Sequence, residues 1–208
     1  MRYQGGKSRI AKPIASAIEL RQQSRESNNT LVSLFCGSCS IESKLAPNFD
    51  RVICNDKHKY LIEMFKALQN GYELPEYISE EQYKYIREHK DEDMALTGFV
   101  GFGCSFGGRF FEGYARNKEN TNYALQSKKS VLKDMQTLWN AEFTCLDYRD
   151  VIIPKDSVVY ADPPYNNTKP INRESFNTQE FWEYMRKISK DNMVFISELN
   201  APDDFKCI

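Results

Sequence analysis

Asp162-Pro163-Pro164-Tyr165 follows the apolar run Val158-Val159-Tyr160, so an acid, two prolines and an aromatic stand where a strand would end. That combination suits one chemical problem, the addition of a methyl group to the exocyclic amine of a nucleobase. Such an amine is a weak nucleophile because its lone pair is delocalised into the ring. Two acceptors on its N–H bonds help to draw the pair out of the plane. The Asp162 carboxylate is one; the Pro163 carbonyl, fixed because proline constrains φ, is the other. Tyr165 adds a flat face on which an extruded base can stack. Positioning then carries much of the rate, and neither a metal nor a nucleophilic side chain is needed. The structural alternative is that the prolines end a strand and Asp162 caps a turn.

Residues for a cofactor fall at two further strand ends. Leu31 to Phe35 reads as a short apolar strand, and Phe35-Cys36-Gly37-Ser38 lets the backbone after it pass close to a ligand. The second strand, Arg51-Val52-Ile53-Cys54, ends at Asn55-Asp56. Asp56 follows Gly37 by about 20 residues, the usual place for a carboxylate on ribose hydroxyls. The full G-x-G-x-x-G is absent, which disfavours a dinucleotide. A nucleoside cofactor without pyrophosphate, S-adenosylmethionine, fits better. The alternative is a plain strand–turn–helix with Asp56 as an N-cap. Tyr3-Gln4-Gly5-Gly6-Lys7 is a third candidate: its glycines permit close backbone approach, and Lys7 can reach a carboxylate.

The elements that must position these residues alternate. A helix over 9–24 precedes the first strand, one from Ile41 to Leu45 follows it, and one from Tyr60 to Gln69 follows the second, with Gly71 as C-cap. Strands resume at Phe143 to Leu146 and Val158 to Tyr160. A helix marked by Phe181, Trp182, Met185 and Ile188 leads to a strand from Met193 to Ile196. Such alternation implies an α/β fold with a mostly parallel sheet covered on both faces. Between Gly71 and Asn140 it lapses. Ser79-Glu80-Glu81-Gln82 is a capping box. Gly98 to Tyr114 then holds six glycines and six aromatics, which suggests a flexible loop able to stack on bases or a glycine-kinked core segment.

The chain of 208 residues suits one domain with a subdomain, and 41% hydrophobic content is ordinary for a soluble protein. No run approaches the ~20 apolar residues of a membrane helix, and no apolar leader follows Met1. Cys36-x-x-Cys39 lacks the second pair that a metal site needs, so the six cysteines are expected to be structural thiols in a reduced cytoplasm. The net charge of −1 conceals a division: residues 1–25 hold six basic residues against Glu19, and residues 73–93 hold eight acids against three bases. A positive and a negative face, or merely two solvated helix faces, would follow.

Taken in order, Tyr3-Gln4-Gly5-Gly6-Lys7, Phe35-Cys36-Gly37-Ser38, Asn55-Asp56 and Asp162-Pro163-Pro164-Tyr165 resemble the D12 class of adenine-specific DNA methyltransferases, in its Dam-like, alpha-group arrangement. Phe99 to Arg116 and Ser197-Glu198-Leu199-Asn200-Ala201-Pro202 are similar to segments of phage and bacterial members. The resemblance implies a Rossmann-like methyltransferase fold. Residues 1–70 and 141–208 would form the catalytic domain and 71–140 an inserted target-recognition subdomain. It also implies conversion of S-adenosylmethionine to S-adenosylhomocysteine, base flipping in double-stranded DNA, and N6-methyladenine as product. Carried over by motif, Tyr3, Gln4, Gly5, Gly6, Lys7, Phe35, Cys36, Gly37, Ser38, Asp56 and Asp162 would line the cofactor site. Asp162, Pro163, Pro164 and Tyr165 would hold the adenine; Phe106, Arg109, Phe110, Arg116, Lys169 and Arg173 would face DNA. No metal and no membrane are expected, the protein would be a monomer or weak dimer, and a partner restriction endonuclease is left open.

There are departures. Ser33-Leu34-Phe35 stands where the family has an acid-containing motif such as Glu-Pro-Phe, Cys39 replaces a second glycine, and Leu199 stands where an aromatic is expected. The sequence reaches Ile208 without an obvious closing hairpin for the sheet. An N4-cytosine or RNA amino-methyltransferase shares the same amine chemistry. A non-catalytic DNA-binding subunit would keep the fold without turnover.

Overall fold

The structure, a computed structural model, describes residues 1–22, 29–164 and 176–208. Tyr165, Lys169 and Arg173 lie outside the described residues. Five strands form one sheet in the order β3-β2-β1-β4-β5: β1 Thr30–Ser33, β2 Arg51–Asn55, β3 Glu142–Thr144, β4 Val158–Ala161 and β5 Met193–Ile196. Every pairing is parallel. The chain winds from β1 outward through β2 to β3, then crosses back to β4 on the other side of β1. That reversal opens a crevice beyond the carboxyl ends of β1 and β4, the general ligand position in such sheets.

The central strands are apolar throughout because both their faces are covered. Leu31 and Val32 of β1 and Val158 and Val159 of β4 have no exposed surface. Their side chains alternate between two cores. Leu31, Cys54, Val158 and Tyr160 face helices α1 (Ala11–Gln22), α3 (Lys59–Gln69) and α5 (Met94–Gly103). Val32, Leu34, Val159 and Ala161 face α7 (Thr178–Ile188) through Phe181, Trp182 and Met185. The four-residue α2 (Glu42–Leu45) closes the turn after β1, while α4 (Glu80–Glu88) and α6 (Tyr123–Met135) flank α5.

Local signals account for the helix ends. Leu61, Ile62, Phe65 and Leu68 give α3 a buried stripe, and Gly71 follows it at φ +82°, a left-handed conformation that glycine adopts freely. Ser79 and Gln82 complete a capping box on α4. The Asp93, Asn122 and Asn177 side chains cap α5, α6 and α7 by accepting from backbone amides.

The flexible-loop reading of Gly98 to Tyr114 is corrected over its first half. Residues 98–103 are the end of α5, with Phe99 and Phe102 fully buried. Gly98 explains why. A Cβ there would lie 2.1 Å from the carbonyl oxygen of Tyr60, so the glycine lets α5 press against α3. Tertiary burial thus overrides the low helix propensity of glycine. The second half is a turn whose Gly108 carbonyl accepts from the Gln4 amide at 2.9 Å, fastening the N-terminal segment.

Candidate active site

The turn after β1 enters the crevice at Cys36, whose amide donates to the Asn55 carbonyl at 2.8 Å. Gly37 has φ +48°, and a Cβ there would sit 3.0 Å from the Tyr3 ring. Its amide donates to Asp56 Oδ2 at 2.9 Å, and the His58 amide donates to Asp56 Oδ1 at 2.9 Å. Each carboxylate oxygen keeps a lone pair for a further donor. Burial pushes the Asp56 carboxyl up, opposed by those two amides. Beneath it, the Asn55 amide group donates to the carbonyls of Leu34 and Leu146 at 3.1 and 3.0 Å and accepts from Thr144 and Leu146. Asn55 therefore ties the exits of β1, β2 and β3 together.

Across the crevice, Asp162 follows β4 and forms an ion pair with Lys7 from the N-terminal segment. Pro163 is buried and Pro164 exposed. Tyr3 lies over Gly37 and packs on Phe102 with ring centroids 4.8 Å apart. Its hydroxyl is held well above the usual range, by burial first and then by Asp56, Cys36 and Asp162. Below the turn, Ser33 Oγ donates to Glu42 Oε1 at 2.6 Å in full burial.

These groups surround one cavity of about 580 Å³, lined by 3–7, 34–38, 55–58, 146–149 and 162–164 together with Phe176, Asn177 and Glu180 among others. The structure thus brings together Tyr3, Gln4, Gly5, Gly6, Lys7, Phe35, Cys36, Gly37, Ser38, Asp56, Asp162, Pro163 and Pro164. Phe110 packs behind the wall, 4.4 Å from the His58 ring. Phe106 is exposed, Arg109 pairs with Glu112, and Arg116 pairs with Glu80, all outside the cavity. Cys36 and Cys39 are buried free thiols, with burial holding both far above the usual thiol range. Among the described residues no three His, Cys, Asp or Glu side chains gather to hold a metal, and no helix is long and apolar enough to cross a membrane.

Sequence reasoning missed several lining residues. Asp147, Tyr148 and Arg149 follow β3, and the strand-end rule that found Asp56 would have found them. Arg149 grips Asp147 at 2.7 and 3.0 Å and also pairs with Glu180, forming a charged rim. Phe35 packs at a tilt on Tyr148 and edge-on against Phe176 and Phe181, an aromatic wall built from three elements. His58 sits among Phe102, Phe110 and Tyr60, and its Nδ1 has no partner among the described residues. Burial pushes its imidazole down to about 4.

A parallel sheet with this winding order, a glycine turn joined to a strand-end acid, and an acid–proline pair at the switch point define a Rossmann-like methyltransferase. A family model of the D12 class N6 adenine-specific DNA methyltransferases matches residues 3–99 and 105–196, and the chain belongs to that family. Its activity is methylation of adenine N6 in DNA, with S-adenosylmethionine as methyl donor.

The residues present suit that cofactor. The cavity is of nucleoside size. The cradle at Gly37 and Gly6 would be filled by any Cβ, since one at Gly6 would meet the Tyr3 carbonyl at 3.0 Å. Asp56 offers a carboxylate for ribose hydroxyls, and Lys7 a cation for an amino-acid carboxylate.

Proposed function

We propose that this protein methylates adenine in double-stranded DNA after the base leaves the stack and enters the mouth of the cavity beside Asp162 and Pro163. The observation that carries this reading is the Asp162-Pro163 end of β4, set against a cavity that also holds Lys7 and Asp56. The Asp162 carboxylate accepts one N–H of the adenine amine and the Pro163 carbonyl the other. Together they orient the lone pair for transfer, and Asp162 is the nearest base for the proton the amine must lose. When bound, the cofactor supplies an electrophilic methyl group. Asp56 holds the ribose, Tyr3 and Gly37 hold the nucleoside, and Lys7 holds the carboxylate. Lys7 forms an ion pair with Asp162; an arriving carboxylate competes with Asp162 for Lys7 and loosens that pair. Tyr165 follows directly in sequence and is assigned to stacking on the base.

We assign residues 71–140 to target recognition. Phe106 is 66% exposed at a glycine turn, a position suited to contact with bases or with the gap a flipped base leaves. Arg109 and Arg116 lie on the same exposed stretch and suit phosphates. Their present partners, Glu112 and Glu80, are surface ion pairs of small net worth, so exchange for a phosphate costs little.

The test is to incubate the protein with mixed-sequence duplex DNA and methyl-labelled cofactor, then digest to nucleosides for mass spectrometry. Labelled N6-methyladenine from duplex, and less from RNA, is expected. Label in N4-methylcytosine, or only in RNA, would replace the reading with one of its relatives in amine chemistry. Cofactor binding without any transfer would leave a non-catalytic subunit.

A further inference from the structure

Glu42 opens α2 directly after the cofactor turn and is 1% exposed, yet it lines the cavity. A fully buried acid normally has a cationic partner. Here the charged group acting on it is Asp162, which disfavours ionisation, whereas the Ser33 hydroxyl and the backbone amides of Ile41 and Glu42 favour it. Lys44 of the same helix turns to Asp134 instead. Burial is the largest influence and pushes the carboxyl up to about 7. The acid lacking at position 33 therefore returns in space from α2, nine residues on, with Ser33 as its donor.

The position of Glu42 bears on the cofactor reading above, on which this inference rests. The amino-acid end of S-adenosylmethionine carries one anion and one cation. Lys7 answers the anion. Asp162 is engaged by Lys7 in the free protein and by the target amine in the reaction. Among the described residues Glu42 is the remaining acid at that end of the cavity, and none of their cations pairs with it. We propose that Glu42, held by Ser33, receives the α-ammonium of the amino-acid end of the cofactor. A carboxyl that is neutral before the cofactor binds and ionises against an arriving ammonium gives its proton to solvent. Binding is then coupled to proton release. Around Glu42, Asp162 contributes from just beyond β4 and Cys36 from the turn, that thiol being held neutral by burial. Asp56 across the cavity is also pushed up, so a Glu42 variant must supply the subtraction.

The measurement is calorimetry with S-adenosylhomocysteine, which has the same amino-acid end and no methyl to transfer, in two buffers of different ionisation enthalpy. At pH 6 the ligand ammonium is fully formed, because an α-amino group titrates well above that pH. Wild type should release a large fraction of a proton per ligand at pH 6, falling toward zero as pH rises past the range of a carboxyl pushed up to about 7. Glu42→Gln should lose the share of the release that belongs to Glu42, leaving only what Asp56 contributes, and bind at least tenfold more weakly. Ser33→Ala removes a bond that favours the charged form, so the release window should move to higher pH. A merely structural serine would leave that window in place. Binding without proton release at pH 6, proton uptake, or release unchanged in Glu42→Gln would each overturn the role of Glu42 while leaving the cofactor site intact. Should Glu42→Gln not fold, the pH course of wild type and of Ser33→Ala decides. Absence of binding by wild type at any pH, by heat and by thermal shift, would overturn the cofactor assignment and this inference together.

Discussion

The amide of Gly37 donates to Asp56 Oδ2 at 2.9 Å, so the turn and the acid that we assign to the cofactor are one hydrogen-bonded unit. Asp56→Ala removes both functions. Cofactor affinity should fall by the worth of one or two bonds to a charged group, about 1.5–3 kcal/mol each, or more than tenfold. DNA affinity should barely change. Calorimetry showing undiminished cofactor affinity would reduce Asp56 to a staple of the turn.

Asp162→Ala should abolish methyl transfer in a protein that stays folded. Asp162→Asn keeps an acceptor oxygen but not the charge, and it should retain a small residual rate. Transfer measured alongside a circular dichroism melt checks both. Activity above a few per cent of wild type in a folded Asp162→Ala protein would remove the carboxylate from the mechanism.

His58 is buried neutral, with its pKa lowered from 6.5 to about 4. Between those values the unfolded chain binds a proton that the folded one excludes. The contribution of His58 to stability is thus complete above about pH 6.5 and is lost as pH falls toward 4. The loss is on the order of 3 kcal/mol. Glu42 acts in the opposite sense over pH 4.5 to 7, since its folded pKa is raised. It cancels when wild type is compared with His58→Leu, whose relative stability should improve by that amount between pH 7 and pH 4. Denaturant midpoints giving a constant difference would show that His58 ionises freely in the fold.

Gly98→Ala should destabilise the protein by about 1–3 kcal/mol, the usual cost of overpacking, because the added methyl meets the Tyr60 carbonyl at 2.1 Å. Urea unfolding of the variant at wild-type stability would mean that α5 does not rest on α3 in this way.

Much of the frame was legible because strands buried on both faces read as apolar runs. Met193–Ile196 was placed with its correct ends, and β2 needed only Asn55 added. Asp56 and Asp162 stand at strand ends and line the cavity there, as the alternation of elements indicates. What escaped depends on approach through space. Gly98 to Tyr114 reads in sequence as a flexible loop or a glycine-kinked core segment; its first half is the end of α5, where Gly98 permits contact between helices. His58 gives no periodic signal, and its aromatic surroundings come from α3, α5 and the turn beyond α5. Glu42 had a readable cue, an acid in the first turn of the short helix that follows the glycine turn. Only the Ser33 bond shows where its carboxyl points.

The crevice is assembled from opposite ends of the chain: Lys7 and Asp162 are 155 residues apart, and β1 acquires its neighbour β4 only when Leu31 meets Val158. Closing the sheet this way must await the whole helical excursion between β2 and β3, a high-contact-order route that slows folding. A nascent chain leaving the ribosome therefore cannot hold cofactor until β4 has emerged. Once it does, ligand binds only the finished sheet and shifts the folding equilibrium by mass action. Cofactor supply in the cell then acts on how much of this protein is folded, as well as on how fast it turns over.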